Sequence, residues 1–143
     1  NKMAVMAFVA DQENNILLLQ RIKDDFWEPV KWWSEEWETF AEWIYREFLE
    51  ETWIKKEKIV EIRELEKFED RLKFWEKEIT IKWMLFFIRI KWIKPEVIIN
   101  YDQSVVWDHK AYKWVSIQEL EEMTIFSPFA NQYKTKMRMI ATS

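Results

Sequence analysis

Glu47, Glu50 and Glu51 stand at i, i+3 and i+4 in the run YREFLEE. On a helix, at about 100° per residue, that spacing gathers three carboxylates along one edge. Like charges so placed repel, so the arrangement is unfavourable unless a positive charge sits against it. Ligands that offer only oxygen suit a hard cation, Mg²⁺ or Mn²⁺, over zinc or copper. Arg46 falls off that edge and can pair with a carboxylate that precedes the helix. A solvated acidic face is the alternative reading of the same residues.

The elements that must position these acids follow from the flanking pattern. Thr39-x-x-Glu42 matches a capping box and opens the helix, and Phe40, Ala41, Ile44, Tyr45 and Phe48 recur at helical spacing as its buried stripe. Upstream, Met3 to Ala10 and Asn15 to Ile22 are apolar runs separated by the polar turn DQENN, which predicts a hairpin. Residues 23–38 contain Pro29 and show no periodicity, so they read as a long loop. Downstream, Ile59 to Phe68 and Glu78 to Ile90 are strand-like, with Asp70 to Trp75 as the turn between them. Pro95 breaks the pattern before the short apolar stretch Val97 to Asn100. Ala111 to Val115 is a short apolar stretch, and Ser116 caps a helix through SIQELEEM. Phe129, Tyr133, Met137 and Ile140 keep three- and four-residue spacing, which predicts a third helix over 127–140. This order predicts an α+β fold in which helices flank a mixed sheet, with residues 1–143 forming one domain.

Composition narrows the function classes. The chain has 143 residues, 49% apolar and 34% charged, the balance of a folded domain with a substantial core. A net charge of −4 argues against a nucleic-acid polymer as partner, but a phosphorylated small molecule stays open because a bound cation inverts the local sign. The absence of cysteine excludes disulfides and thiolate metal sites. No apolar run approaches the roughly 18 residues of a membrane span, and no signal-peptide pattern opens the chain. A cytoplasmic enzyme or binding domain, with no membrane partner, is expected.

From Trp32 the chain runs W-x5-Glu38-x7-Arg46-Glu47-Phe48-x-Glu50-Glu51-x-Trp53-Ile54. This resembles the Nudix box, G-x5-E-x7-R-E-U-x-E-E-x-G-U, in which U is a bulky aliphatic residue. Every charged position matches at its spacing. The flanks LLLQRIKDDFWEPV and DHKAYKWVSIQEL extend the resemblance over most of the chain, toward the subgroup that hydrolyses nucleoside triphosphates and dihydroneopterin triphosphate.

The resemblance implies an α/β/α sandwich with a mixed β-sheet, and Mg²⁺-dependent hydrolysis (Mn²⁺ as substitute) of a small nucleotide or pterin phosphate with release of pyrophosphate. Glu47, Glu50 and Glu51 would hold metal, one of them also polarising water, while Glu38 would pair with Arg46. Asp108 is the candidate for a further metal-binding acid, with loop capping as its alternative role. Arg21 and Lys23 leave the second strand and are candidates for substrate phosphates, solvation of a strand end being the alternative. Trp27, with Phe26, is a candidate for stacking on a base or pterin ring, and otherwise belongs to the core. His109 is the sole histidine and a candidate substrate or catalytic group; a hydrogen-bonded structural role is the competing reading. Two further functions remain: hydrolysis of a dinucleoside polyphosphate such as diadenosine tetraphosphate, and a catalytically silent binding module.

Glycine averages about 7% of residues, so roughly ten are expected; the chain has none, and it has eleven tryptophans. Trp32, Trp37 and Trp53 fall where the family has glycine, and Trp33 and Trp43 where it has small residues. Trp75, Trp83, Trp92 and Trp107 lie near predicted turns or in strands. The economical reading is that tryptophan stands systematically in place of glycine, which predicts positive φ at Trp32, Trp37 and Trp53, the last directly after the helix.

Overall fold

The computed structural model describes residues 2–33, 40–99, 109–123, 135–136 and 138–139. β1 (Lys2–Ala10) is followed by β2 (Ile16–Arg21), β3 (Trp27–Glu28), β4 (Val30–Trp33) and α1 (Phe40–Thr52). β5 (Ile59–Phe74), β6 (Lys77–Ile90), β7 (His109–Val115) and α2 (Ile117–Glu122) complete the described elements. The strands form one mixed sheet.

β1 is the centre of that sheet. It runs parallel to β6 from Lys2↔Ile81 to Ala10↔Arg89 and antiparallel to β4 from Ala4↔Trp33 to Ala7↔Val30. Both its faces are buried, which is why MAVMAFVA is apolar throughout and does not alternate. Val5, Ala7 and Val9 join Leu17, Leu19, Val30 and Phe48 in one core cluster. Ala4, Met6 and Phe8 join Leu18, Phe87 and Leu120 in the other. Phe48 belongs to α1 and Leu120 to α2, so one helix covers each face and the expected α/β/α sandwich results.

Several predicted elements are redrawn. The β1–β2 turn exists, but the two strands share only the registered pair Ala10↔Ile16; β2 pairs instead with β7 and β3. A fully apolar run identifies a buried strand without identifying its partner. The predicted long loop contains β3 and β4, separated by Pro29, whose missing N–H interrupts the ladder. β5 continues to Phe74, so the turn shrinks from Asp70–Trp75 to the two residues Trp75 and Glu76 between Phe74 and its partner Lys77. The extra strand length is dense in charge because β5 ends the strand order, where charge opposes edge-to-edge association. Residues 97–99 are not a strand.

The helix predictions hold where they can be read. Ser116 caps α2 with a reciprocal box: Glu119 N–H donates to Ser116 Oγ at 3.2 Å, and Ser116 N–H to Glu119 Oε1 at 3.3 Å. Thr39 lies outside the described residues, as does most of 127–140. Thr135, Lys136, Arg138 and Met139 are helical. Lys136 pairs with Glu66 of β5 at 2.8 Å and Arg138 with Glu121 of α2.

Candidate functional site

α1 carries the acidic edge, and Phe48 sets its rotation: that ring is fully buried with Leu19 and Val30, which turns its charged neighbours outward. The C-terminal end of α1 is pinned. Thr52 Oγ1 donates to Phe48 O at 2.7 Å and accepts from Ile54 N–H at 3.1 Å, while Ile98 N–H donates to Thr52 O at 3.2 Å. Trp53 closes the helix with φ 62°, and its N–H donates to Leu49 O at 2.7 Å. That is the left-handed C′ conformation glycine ordinarily supplies, so the predicted positive φ is present.

On the edge itself Arg46 Nη2 donates to Glu47 Oε1 at 2.7 Å, and Arg46 Nε lies 3.7 Å from Glu50 Oε1. Helical spacing alone puts Arg46 off this edge; its long stem brings the guanidinium back against two of the three acids. Glu51 follows Glu50 on the helix backbone, and its side chain lies outside the described residues, as do Glu38 and Asp108 altogether. Among the described residues no three acidic or histidine side chains converge on a metal position. The two described acids offer only carboxylate oxygens, donors that suit a hard cation, and Arg46 lies against both.

A second carboxylate, absent from the sequence-based candidates, organises the far end of β2. Glu28 is 1% exposed and lies opposite Leu19, so it shares the α1 face of the sheet. His109 Nε2 is 2.7 Å from Glu28 Oε1; Lys31 Nζ is 3.0 Å and Arg21 Nη1 3.9 Å from Glu28 Oε2. Arg21 also reaches Asp24 at 3.3 Å. Arg21 and His109, expected on substrate, are therefore buried and engaged with Glu28. Lys23 is exposed, in the turn between β2 and β3. Trp27 is half-buried and packs with the cluster of Met6 and Phe8, on the face opposite Phe48. The sequence signal for Glu28 was faint: a lone acid before Pro29, whose partner His109 lies 81 positions away.

The tryptophans separate by backbone. Trp53, Trp75 and Trp92 have φ of 62°, 58° and 79° and are exposed. Trp75 opens a two-residue hairpin turn, where the favoured primed types require positive φ. Trp32, expected at positive φ, lies instead in β4 opposite Val5, with Trp33 opposite Ala4; extended backbone there suits any residue. Trp83 and Trp114 are buried, and Trp83 stacks on Phe68 at 6.2 Å between centroids. Trp43 is helical; Trp37 and Trp107 lie outside the described residues.

A family model for the NUDIX domain matches residues 1–135. The chain belongs to the Nudix family. It is thereby a Nudix-type pyrophosphohydrolase, acting on a nucleoside-diphosphate-linked substrate. Its Nudix fold is similar to that of the E. coli dihydroneopterin triphosphate pyrophosphohydrolase, at TM-score 0.69 and 21% identity over 98% of this chain and 94% of that one. It is also similar to a C. elegans Ap4A hydrolase binary complex, at TM-score 0.62 and 17% identity over 99% and 96%. The Nudix domain of Shewanella oneidensis NrtR complexed with ADP ribose aligns at TM-score 0.72 and 14% identity over 96% and 86%. No curated protein matches the Nudix chain in sequence. Among the described residues no helix is long and apolar enough to cross a membrane.

Proposed function

We propose that this Nudix chain hydrolyses a nucleoside triphosphate or pterin triphosphate, releasing pyrophosphate, with Mg²⁺ held by Glu47, Glu50 and Glu51 and by Asp108. The observation that carries the reading is the α1 edge, where box acids stand at the box's spacing with Arg46 against them. Bound Mg²⁺ supplies positive charge against the polyphosphate and makes water more acidic. A box carboxylate accepts the proton of the attacking water as the bond between phosphorus and the bridging oxygen breaks. Arg46 holds the rotamers of Glu47 and Glu50, and Glu38 pairs with Arg46. Lys23, exposed in the turn between β2 and β3, contacts the polyphosphate.

The likeness to an Ap4A hydrolase supports a second reading, cleavage of a dinucleoside tetraphosphate. Product analysis separates the two. Each of the common nucleoside triphosphates, dihydroneopterin triphosphate and diadenosine tetraphosphate is incubated with the protein and Mg²⁺. Pyrophosphate with a monophosphate from a triphosphate is the expected outcome. Mononucleotide with nucleoside triphosphate from diadenosine tetraphosphate alone favours the second reading. Binding without turnover of any of them means a silent binding module.

A further inference from the structure

Glu28 is a fully buried carboxylate for which the hydrolytic reading has no chemical use, yet four elements meet on it. β3 carries it, β2 brings Arg21, β4 brings Lys31 and β7 brings His109. A buried carboxylate is costly unless paired and hydrogen-bonded, so this cluster holds its members in one arrangement or not at all. Its output is the turn between β2 and β3. Arg21 N–H donates to Phe26 O at 2.9 Å, Asp25 N–H to Arg21 O at 3.2 Å, and the Arg21 guanidinium pairs with Asp24. On the outer side Lys110, one residue past His109, pairs with Asp25. The turn that displays Lys23 is thus gripped from both flanks by residues whose positions depend on Glu28 and His109.

We propose that Glu28 is a positioning residue for substrate: through Arg21 and His109 it sets the 22–26 turn that presents Lys23 to the polyphosphate. The inference rests on the polyphosphate reading above. Arg21 and His109 then act as struts of the binding turn and do not themselves touch substrate. The positioning role requires His109 Nε2–H to donate to Glu28 Oε1 across their 2.7 Å contact.

His109 is the single histidine, so its ring resonances are unambiguous. Heteronuclear NMR should find a slowly exchanging Nε2–H that disappears in Glu28→Ala and persists in Glu28→Gln, whose amide oxygen still accepts. Calorimetry with inorganic tripolyphosphate and Mg²⁺ then reads affinity without requiring turnover. Glu28→Ala should weaken binding by about tenfold or more and Glu28→Gln by less, in line with the penalty of misplacing a bound group. Where a substrate is turned over, KM should rise with kcat little changed; a general loss of folded protein would lower apparent kcat at constant KM. Thermal melts identify the folded fraction at which binding is compared. Tripolyphosphate affinity of folded Glu28→Ala within twofold of the parent overturns the proposal, and so does a parent that binds no tripolyphosphate. A parent that binds tripolyphosphate, loses it on Glu28→Ala, yet cleaves no nucleotide supports the positioning role and removes only the hydrolytic reading.

Discussion

Glu47, half-buried, and Glu50, exposed, lie about one helical turn apart on α1, both against Arg46, whereas Asp11 and Glu28 are buried under several donors each. Asp11 accepts from the N–H groups of Glu13, Asn15 and Lys94 at 2.8–3.0 Å and from the Asn15 amide at 2.9 Å. Those bonds tie the β1–β2 turn to the loop after β6. One set of acids is satisfied by the fold; the other is arranged so that the fold alone is a poor partner, since adjacent carboxylates destabilise a helix. Placement, more than residue type, separates the acids that build the protein from those to which a metal-binding role is proposed.

The sharpest way to break this comparison is to neutralise one acid of each kind. Glu50→Gln should lower turnover about 10²–10⁴-fold, the range for losing a positioned proton-transfer or charge-binding group, while relief of like-charge repulsion leaves stability unchanged or slightly raised. Steady-state kinetics at saturating Mg²⁺ and thermal melts of the same preparation check both halves. Asp11→Ala should do the reverse. Three backbone N–H groups lose their acceptor, destabilising the fold by about 3 kcal/mol in denaturant titrations, while turnover per folded molecule stays unchanged.

A smaller effect tests the joints that hold both regions. Trp75 is 97% exposed at φ 58°, so its indole contributes no burial against the backbone strain. Trp75→Gly should stabilise the protein by about 1 kcal/mol, the left-handed penalty less the entropy glycine restores to the unfolded chain. Denaturant midpoints of the two chains measure it. The smallest effect concerns Glu119, an exposed acid committed to capping α2. The backbone N–H of Ser116, and after it the Lys113 side chain, hold its carboxyl below the ordinary 4.5. A depressed folded value means that its support for α2 is present above that pH and is lost as pH falls through the lowered value. An NMR titration should show the Ser116 amide losing protection below pH 4.5 while residues of β1 remain protected.

What the sequence disclosed follows the same division. The placement of Glu47 and Glu50 on one helix was legible because it is encoded in local spacing, and the cap at Ser116 because it needs only four consecutive residues. Trp53 was legible as a misplaced residue because a helix end demands one backbone conformation. Glu28 was not, because its partners come from three other strands and no local pattern records them. β3 and β4 escaped notice because two- and four-residue strands on either side of a proline show no period. β5 was read short because Glu69, Asp70, Arg71 and Lys73 crowd its outer end and hide the strand pattern. The pairing of β1 with β6 was hidden for the opposite reason: apolar on both faces, β1 fits any neighbour.

The central claim is that the α1 edge makes this Nudix chain a metal-dependent pyrophosphohydrolase. Phosphorus NMR of the preferred nucleotide, followed with the parent and with Glu51→Gln at equal concentration, tests it most directly. The account predicts Mg²⁺-dependent appearance of pyrophosphate with the parent, abolished by chelation and reduced at least about a hundredfold in Glu51→Gln. Equal cleavage by both proteins, or cleavage that persists after chelation, would contradict it.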